Sequence, residues 1–268
     1  LKFETEIRNG EYVDPAKSSF EEFKDIWKER HAPKALSPST QETFYRYLQI
    51  HILPHFGSKK ISKINTIQIT AFLDSKLNEK SQNDPNKTLS PATVKYMYRI
   101  LKHMFGVAVD WKVIKENPMD GVKPPSLKKK EMGYYSGEDM PVIMEILYEQ
   151  EIMWKVYFVL AIFAGLRRGE NVALQWSHIN LEEVEITIQD NLVIGIRDDG
   201  TTGIVLKNPK SEASAATISI PKFVTDMLKE YRRHWLIERM LAGDLWPGGI
   251  KNTFTMMGLA ITSTLQPF

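Results

Sequence analysis

The sequence contains no cysteine, which excludes disulfide staples, thiolate metal sites and every zinc-finger arrangement and fits a reducing compartment. It also lacks a long apolar run. The longest, Val156 to Ala164, falls far short of the roughly 20 residues that a membrane-spanning helix requires, and it reads as a buried helix with no membrane partner. No secretory signal opens the chain, which starts at Leu1 in a polar segment rather than at a methionine, so a fragment is expected at both ends. The clustered carboxylates that a magnesium-dependent nuclease needs do not stand out, and no internal repeat is evident. Nor does one sign of charge dominate the whole, whose net is +2.

That balance hides an asymmetry. Through Lys130 there are 23 Lys and Arg against 15 Asp and Glu, a net of +8, and the remainder carries 12 against 18, a net of −6. A basic half on an otherwise balanced chain is what binding to a phosphate backbone requires, because neutralised phosphates release condensed counterions. A solvated lysine-rich surface has the same composition. With 268 residues and 43% hydrophobic content, the chain can bury more than one core, and two domains are the natural expectation.

The first half reads as four helices, each opened by a side chain that can accept from the free N–H groups of the first turn. Ser19 with Glu22 forms a capping box ahead of Phe20, Phe23 and Trp27. Ser37-Pro38 opens a second helix running to about Leu53, ended by Pro54 and Gly57, with Phe44, Tyr47, Leu48 and His51 on one face. Thr66 caps a third, carrying Ile69, Phe72 and Leu73, and Ser90-Pro91 opens the fourth. In the fourth, Val94, Met97, Leu101, Met104 and Ala108 recur at helical spacing as a buried stripe. Lys95, Tyr96, Arg99, Lys102 and His103 then occupy the opposite face, and a mix of cations with an aromatic suits a helix laid against a DNA groove. An ordinary solvated helix face has the same pattern.

Pro118, Gly121, Pro124 and Pro125 break regular structure, and Lys128, Lys129 and Lys130 make the same stretch basic. The expected division is therefore a helical DNA-binding domain at 1–122, a basic linker at 123–133 and a second domain at 134–268. In that second domain Ser136 with Asp139 begins a helix, and Ile152 to Ala164, apolar on nearly every face, is expected at the domain centre and is terminated by Gly165. Val184–Ile188, Asn191–Ile196, Ile204–Lys207 and Ala216–Ile220 read as strands of a small antiparallel sheet, and Pro221 to Leu241 returns to helix. Residues 243–268 show no clear period. The fold class is thus mainly α with a small antiparallel sheet.

At the end of the apolar helix stands Ala164-Gly165-Leu166-Arg167-Arg168-Gly169-Glu170, followed by Val172, Ala173, Leu174, Trp176 and Ile179. This segment resembles the first catalytic box of tyrosine recombinases, in particular integrases of phages and conjugative elements. The resemblance makes Arg167 the catalytic arginine and Glu170 the acidic residue that supports it. The chemistry is consistent: when a tyrosine attacks a phosphodiester, charge builds on the non-bridging oxygens, and a fixed guanidinium can donate two parallel bonds to them. An arginine here could instead cap helix carbonyls or pair with Glu170, and that structural role is the one expected of Arg168. Asn208-Pro209-Lys210-Ser211-Glu212-Ala213-Ser214, leading into Thr217-Ile218-Ser219-Ile220-Pro221, resembles the hairpin on which the family carries a lysine general acid for the departing 5′ oxygen. Lys210 falls at that position, Lys207 competes for the role, and a solvated turn lysine is the plain alternative.

The run Leu36, Ser39, Tyr45, His51-Ile52-Leu53-Pro54 and Gly57 is similar to the helical, SAM-like core-binding domain of the same integrases, and Asn117-Pro118 matches that domain's end. The resemblance covers nearly the whole chain. It implies a C-shaped clamp on double-stranded DNA, contacted by Lys95, Tyr96, Arg99, Lys102, Arg46, Lys128, Lys129 and Lys130. It further implies site-specific recombination through a 3′-phosphotyrosyl intermediate without ATP, metal or other cofactor, a homotetramer on paired sites, and accessory DNA-bending or directionality factors in a bacterial cytoplasm. Two departures stand out. Ala215 and Ala216 replace the basic pair expected after the hairpin serines, and no histidine is followed three positions later by arginine, so the second catalytic box and its tyrosine are missing. Tyr231 lies in the wrong context to substitute. The catalytic domain is accordingly expected to be truncated, and a catalytically silent DNA-binding remnant and a type IB topoisomerase-like enzyme remain as alternatives.

Overall fold

The computed structural model describes residues 18–81, 84, 86–127, 133–207 and 216–243. The chain divides into two compact units, Leu1–Glu131 and Met132–Phe268.

The first unit is helical. Helix α1 (Phe20–Arg30) opens with the capping box read from the sequence: Ser19 Oγ accepts from Glu22 N at 3.1 Å and Glu22 Oε2 accepts from Ser19 N at 2.7 Å. The short α2 (Ala32–Ala35) follows, then α3 (Pro38–Tyr47), capped by Ser37. Pro54 does not end this helix. The turn before it widens to a π-helical segment, Leu48–Ile52, in which Leu53 N–H donates to Leu48 O five residues back, and the axis continues through α4 (Leu53–Phe56). The wider turn accommodates a residue that cannot donate to the ladder. Helix α5 (Thr66–Asn78) is capped by Asn65, not Thr66: Asn65 Oδ1 accepts from Gln68 N at 3.0 Å, and Gln68 Oε1 accepts from Asn65 N at 3.3 Å. The Thr66 hydroxyl is spent on Pro118 O at 2.8 Å, fastening α5 to the end of the unit.

Helix α6 (Pro91–Asp110) is capped by Ser90 and runs through the core. The expected stripe is buried, but Tyr98, Ile100, Phe105 and Val107 are buried as well, so α6 is surrounded over more than half its girth. Lys95, Tyr96 and His103, assigned to its exposed face, are instead only partly exposed. His103 lies edge-on to Trp27 and Phe44, with ring centroids 5.8 and 5.6 Å away. Phe20, Phe23, Trp27, Phe56, Phe72 and Phe105 fill the same core and set its size, since each aromatic ring buries a large apolar area.

In the second unit Ser136 and Asp139 form a turn, with Ser136 N donating to Asp139 Oδ2 at 2.7 Å, immediately before α7 (Met140–Tyr148). Helix α8 (Ile152–Phe163) buries Val156, Val159 and Leu160 but leaves Trp154, Phe158 and Ile162 more than a third exposed. The expectation of all-round burial fails among the described residues, because uniform apolarity carries no directional signal. Gly165 does end this helix, in the left-handed region at φ +63°. The strands form two sheets rather than one. β1 (Ile179–Asn180), β2 (Glu185–Thr187) and β5 (Thr217–Ser219) make an antiparallel sheet in the order β1-β2-β5. β3 (Asn191–Ile196) and β4 (Thr202–Lys207) form a separate antiparallel ribbon in register from Asn191 opposite Lys207 to Ile196 opposite Thr202. Helix α10 (Lys222–Ala242) lays Val224, Leu228, Tyr231 and Trp235 inward at helical spacing, and packs on α8. The result is a mainly α chain with small antiparallel sheets.

Candidate active site and nucleic-acid interface

The segment after α8 is shaped by its own residues. Gly165 turns the backbone, Leu166 buries its side chain in the core, and Arg167 stands at the N-cap of the short helix α9 (Arg168–Ala173). Glu170 sits in the first turn of α9, where a carboxylate is favoured by the free N–H groups. Its two oxygens divide the work: Oε2 accepts from Arg167 N at 2.9 Å and Oε1 accepts from Arg167 Nη1 at 2.8 Å. The Glu170 side chain is 5% exposed, whereas that of Arg167 is 73% exposed. A buried carboxylate thus tethers one edge of a guanidinium whose remaining donors have no other partner among the described residues. Those donors can fork onto two oxygens of an incoming phosphate. Arg168, the first residue of α9, is exposed and takes no part in this pair.

Two contacts that the sequence pattern did not single out hold α9 in place. Asn171, fully buried, donates from Nδ2 to Tyr157 O at 2.8 Å and so ties α9 to α8. The signal available was a polar residue beside the apolar run Val172-Ala173-Leu174. On the other side α9 rests on β3: a Cβ at Gly169 would lie 1.9 Å from Asn191 Oδ1 and 2.6 Å from Leu192 O. Beyond α9, Gln175 Nε2 donates to Asp190 Oδ2 at 3.3 Å, and His178 Nε2 lies 3.8 Å from the same oxygen. Trp176 packs against Tyr231 and Trp235 of α10, with the Arg232 guanidinium over its ring at 5.6 Å. Tyr231 is therefore a buried packing residue, 3% exposed.

Lys210 lies outside the described residues, as do Ala215 and most of the segment joining β4 to β5. Lys207 closes β4 and pairs in register with Asn191, the residue that abuts Gly169. Lys128, Lys129 and Lys130 are likewise outside the described residues.

In the first unit α3 and α6 bring three of the predicted contact residues together. The Tyr47 and Tyr96 rings meet at 4.9 Å, and the Arg46 guanidinium lies 5.9 Å from the Tyr47 ring. Burial, then Tyr47, pushes the Tyr96 hydroxyl above its usual pKa, and the positive charges of Arg99 and Arg46 partly offset this. Arg46 keeps a loose contact with Glu42 at 3.6 Å and is half-exposed. Arg99 and Lys102 are exposed and Lys95 is half-buried, so the cationic character of this face is real, but Tyr96 is packed into it rather than projecting from it.

Known proteins resemble this chain in sequence and in fold. Residues 19–77 match the family described as phage integrase, N-terminal SAM-like domain. The chain is 27% identical over 259 residues to a tyrosine recombinase XerC-like protein of Caldanaerobacter subterraneus subsp. tengcongensis, covering 92% of this chain and 64% of that protein. The chain is thus similar in sequence to a tyrosine recombinase over most of its length. The ICEBs1 integrase of Bacillus subtilis is 28% identical over 186 residues, covering 68% of this chain and 46% of that protein. The chain thus spans about half to two thirds of the length of these two relatives. The fold is that of solved integrases. A Tn1549 transposon integrase in complex with a circular intermediate DNA superposes with a TM-score of 0.60 at 16% identity over 79% of this chain and 63% of that one. A lambda integrase dimer bound to a COC′ core site superposes at 0.54, with 14% identity over 81% and 70%.

Proposed function

We propose that this chain is the core-binding region and part of the catalytic domain of a site-specific DNA recombinase that integrates or excises a mobile element. Residues 1–122 hold duplex DNA, 123–133 form a basic linker, and 134–268 contribute Arg167, Glu170 and Lys210 to strand cleavage and rejoining through a 3′-phosphotyrosyl bond. Storing the phosphodiester energy in that bond removes the need for ATP. The observation that carries the reading is the open guanidinium of Arg167 held by a buried Glu170, an arrangement suited to a charged phosphoryl transition state. Double-stranded DNA is the partner, four subunits act on two paired sites, and the setting is the bacterial cytoplasm. No helix of the described residues is long and apolar enough to cross a membrane. None of the 10 tyrosines follows a His-x-x-Arg element, so the nucleophile is not among these residues. The second reading is a DNA-binding remnant that does not cut.

The DNA-holding part is tested by fluorescence anisotropy on a labelled duplex across a salt series. Binding should weaken steeply with salt, and replacing Arg46 and Arg99 by alanine should reduce the log–log slope by about 1 for each phosphate no longer neutralised. Affinity and slope unchanged in the double variant would remove this face from the interface.

A further inference from the structure

Four of the six histidines lie in the first unit, and two of them face each other across its core. His31 follows α1, its N–H donating to Trp27 O at 3.0 Å, and its ring centroid is 5.2 Å from that of His103 on α6. Aromatic rings pack against the pair, which stays partly exposed. Trp27 stacks on His31 at 6.3 Å, Trp111 meets His31 edge-on at 6.0 Å, and Trp27 and Phe44 meet His103 edge-on. The Nε2 atoms of both imidazoles are shut off from solvent and have no hydrogen-bond partner, and the same holds for Trp27 Nε1. A neutral imidazole tolerates this surrounding because one ring nitrogen need not donate. An imidazolium has two N–H donors and a full charge, and here it would meet a second imidazole and apolar rings.

The neighbouring ionisable groups offer no relief. From α1 the adjacent cation is Lys28, whose ammonium lies 4.8 Å from the centroid of the Tyr45 ring of α3, and Tyr45 is itself edge-on to Trp27. On α6 the residue before His103 is Lys102. Among the described residues the one histidine with a carboxylate within ion-pair distance is His178, in the other unit.

We propose that His103, packed against His31, forms an acid-sensitive latch between α1 and α6: closed while the His103 imidazole is neutral, and forced open when that ring gains a proton, with loss of the DNA-holding form of the helical unit. The DNA consequence rests on the function proposed above; the latch itself does not. Burial first, and His31 second, hold the His103 imidazole below the ordinary histidine pKa. His51 is lowered by burial and Lys76, and His55 by burial, Lys59 and Lys76, so acid acts on the unit in one direction at three sites. The sign follows from linkage. A histidine depressed in the folded state contributes its stability in full above the unfolded value of about 6.5 and loses it as pH falls through that value toward the folded one. Charge alone would act oppositely on DNA affinity, since protonated histidines strengthen attraction to phosphate. Weaker binding in acid therefore distinguishes a latch from a merely more basic surface.

The test uses the full chain at constant ionic strength. Thermal unfolding of the parent should occur about 5 °C lower at about pH 5.5 than at about pH 7.5, and the variant carrying His31→Phe and His103→Phe, which keeps the rings and removes the protons, should lose clearly less. Duplex affinity of the parent should fall over the same interval. An equal pH response in parent and variant, or none in the parent, overturns the latch. Should the double variant fail to fold, the ring resonances of His103 in the parent decide: a titration midpoint below the ordinary histidine range upholds the latch, and one at or above it overturns it. Acid opening in a chain that binds no duplex at any pH upholds the latch and refutes the DNA-holding reading instead.

Discussion

Gly169→Ala is the sharpest probe of how the candidate active site is built. A methyl group there would stand 1.9 Å from Asn191 Oδ1 and 2.6 Å from Leu192 O. The Asn191 side chain can swing aside, but the Leu192 carbonyl is backbone, held in a ribbon whose register pairs Leu192 with Leu206. Since a carbon approaches a carbonyl oxygen no closer than about 3.3 Å, either β3 or the start of α9 must retreat by several tenths of an ångström. Alanine would gain about 1 kcal/mol over glycine from helix propensity alone, against roughly 1–3 kcal/mol for overpacking a seated contact. A net loss near 1 kcal/mol should lower the melting temperature of the second unit by about 5 °C, measured by near-ultraviolet circular dichroism. Gly203→Ala is the control. Its methyl group would strike the Arg197 guanidinium at 2.0–2.1 Å, but that is the far end of a flexible side chain, free to move, so the change should stay within about 0.5 kcal/mol. If Gly169→Ala is as stable as the parent, or more so, α9 does not rest on β3 and the tether of Arg167 is not positioned as described.

Other outcomes follow from the same geometry. Glu170→Ala removes both acceptors of Arg167 and should destabilise the second unit by about 1–3 kcal/mol, whereas Glu170→Gln should retain one of the two bonds and lose less in chemical denaturation. Asn65→Ala should cost about 1 kcal/mol through loss of the α5 cap, and Thr66→Val should weaken the fastening to Pro118 instead of the cap, so the two losses should add in urea titrations. Trp27→Ala, at a fully buried site touching α3 and α6, should lose about 3–5 kcal/mol, enough for circular dichroism to show the first unit partly unfolded at room temperature.

What was legible in the sequence was local. Ser19, Ser37 and Ser90 announced their helices because a cap and the N–H groups it serves lie within one turn, and Arg167 with Glu170 was paired through the resemblance of the whole box. Asn65 and Thr66 are adjacent and equally able to cap; the choice is made by Pro118, 52 residues away from Thr66, which no local pattern reveals. The helix running through Pro54 needed a widened turn that proline rules do not foresee. His103 was assigned to the solvent side by periodicity, yet α1 and α3 close over it. Four of the five described strands were readable individually, but the two-residue β1 was not, and their sorting into a ribbon and a separate sheet depends on non-local pairing. Asn171 and Asn191, which seat the helix behind Arg167, act through a carbonyl of α8 and a glycine of α9 that only the fold brings near.

The most direct test of the central claim is a covalent-trapping assay with the polypeptide encoded by the intact gene, incubated with a nicked duplex containing its recombination site. The account predicts a 3′-phosphotyrosyl adduct that resists denaturation and is abolished by Arg167→Ala without loss of duplex binding. An adduct that forms undiminished in the Arg167→Ala protein would contradict the assignment of Arg167 to the reacting phosphate.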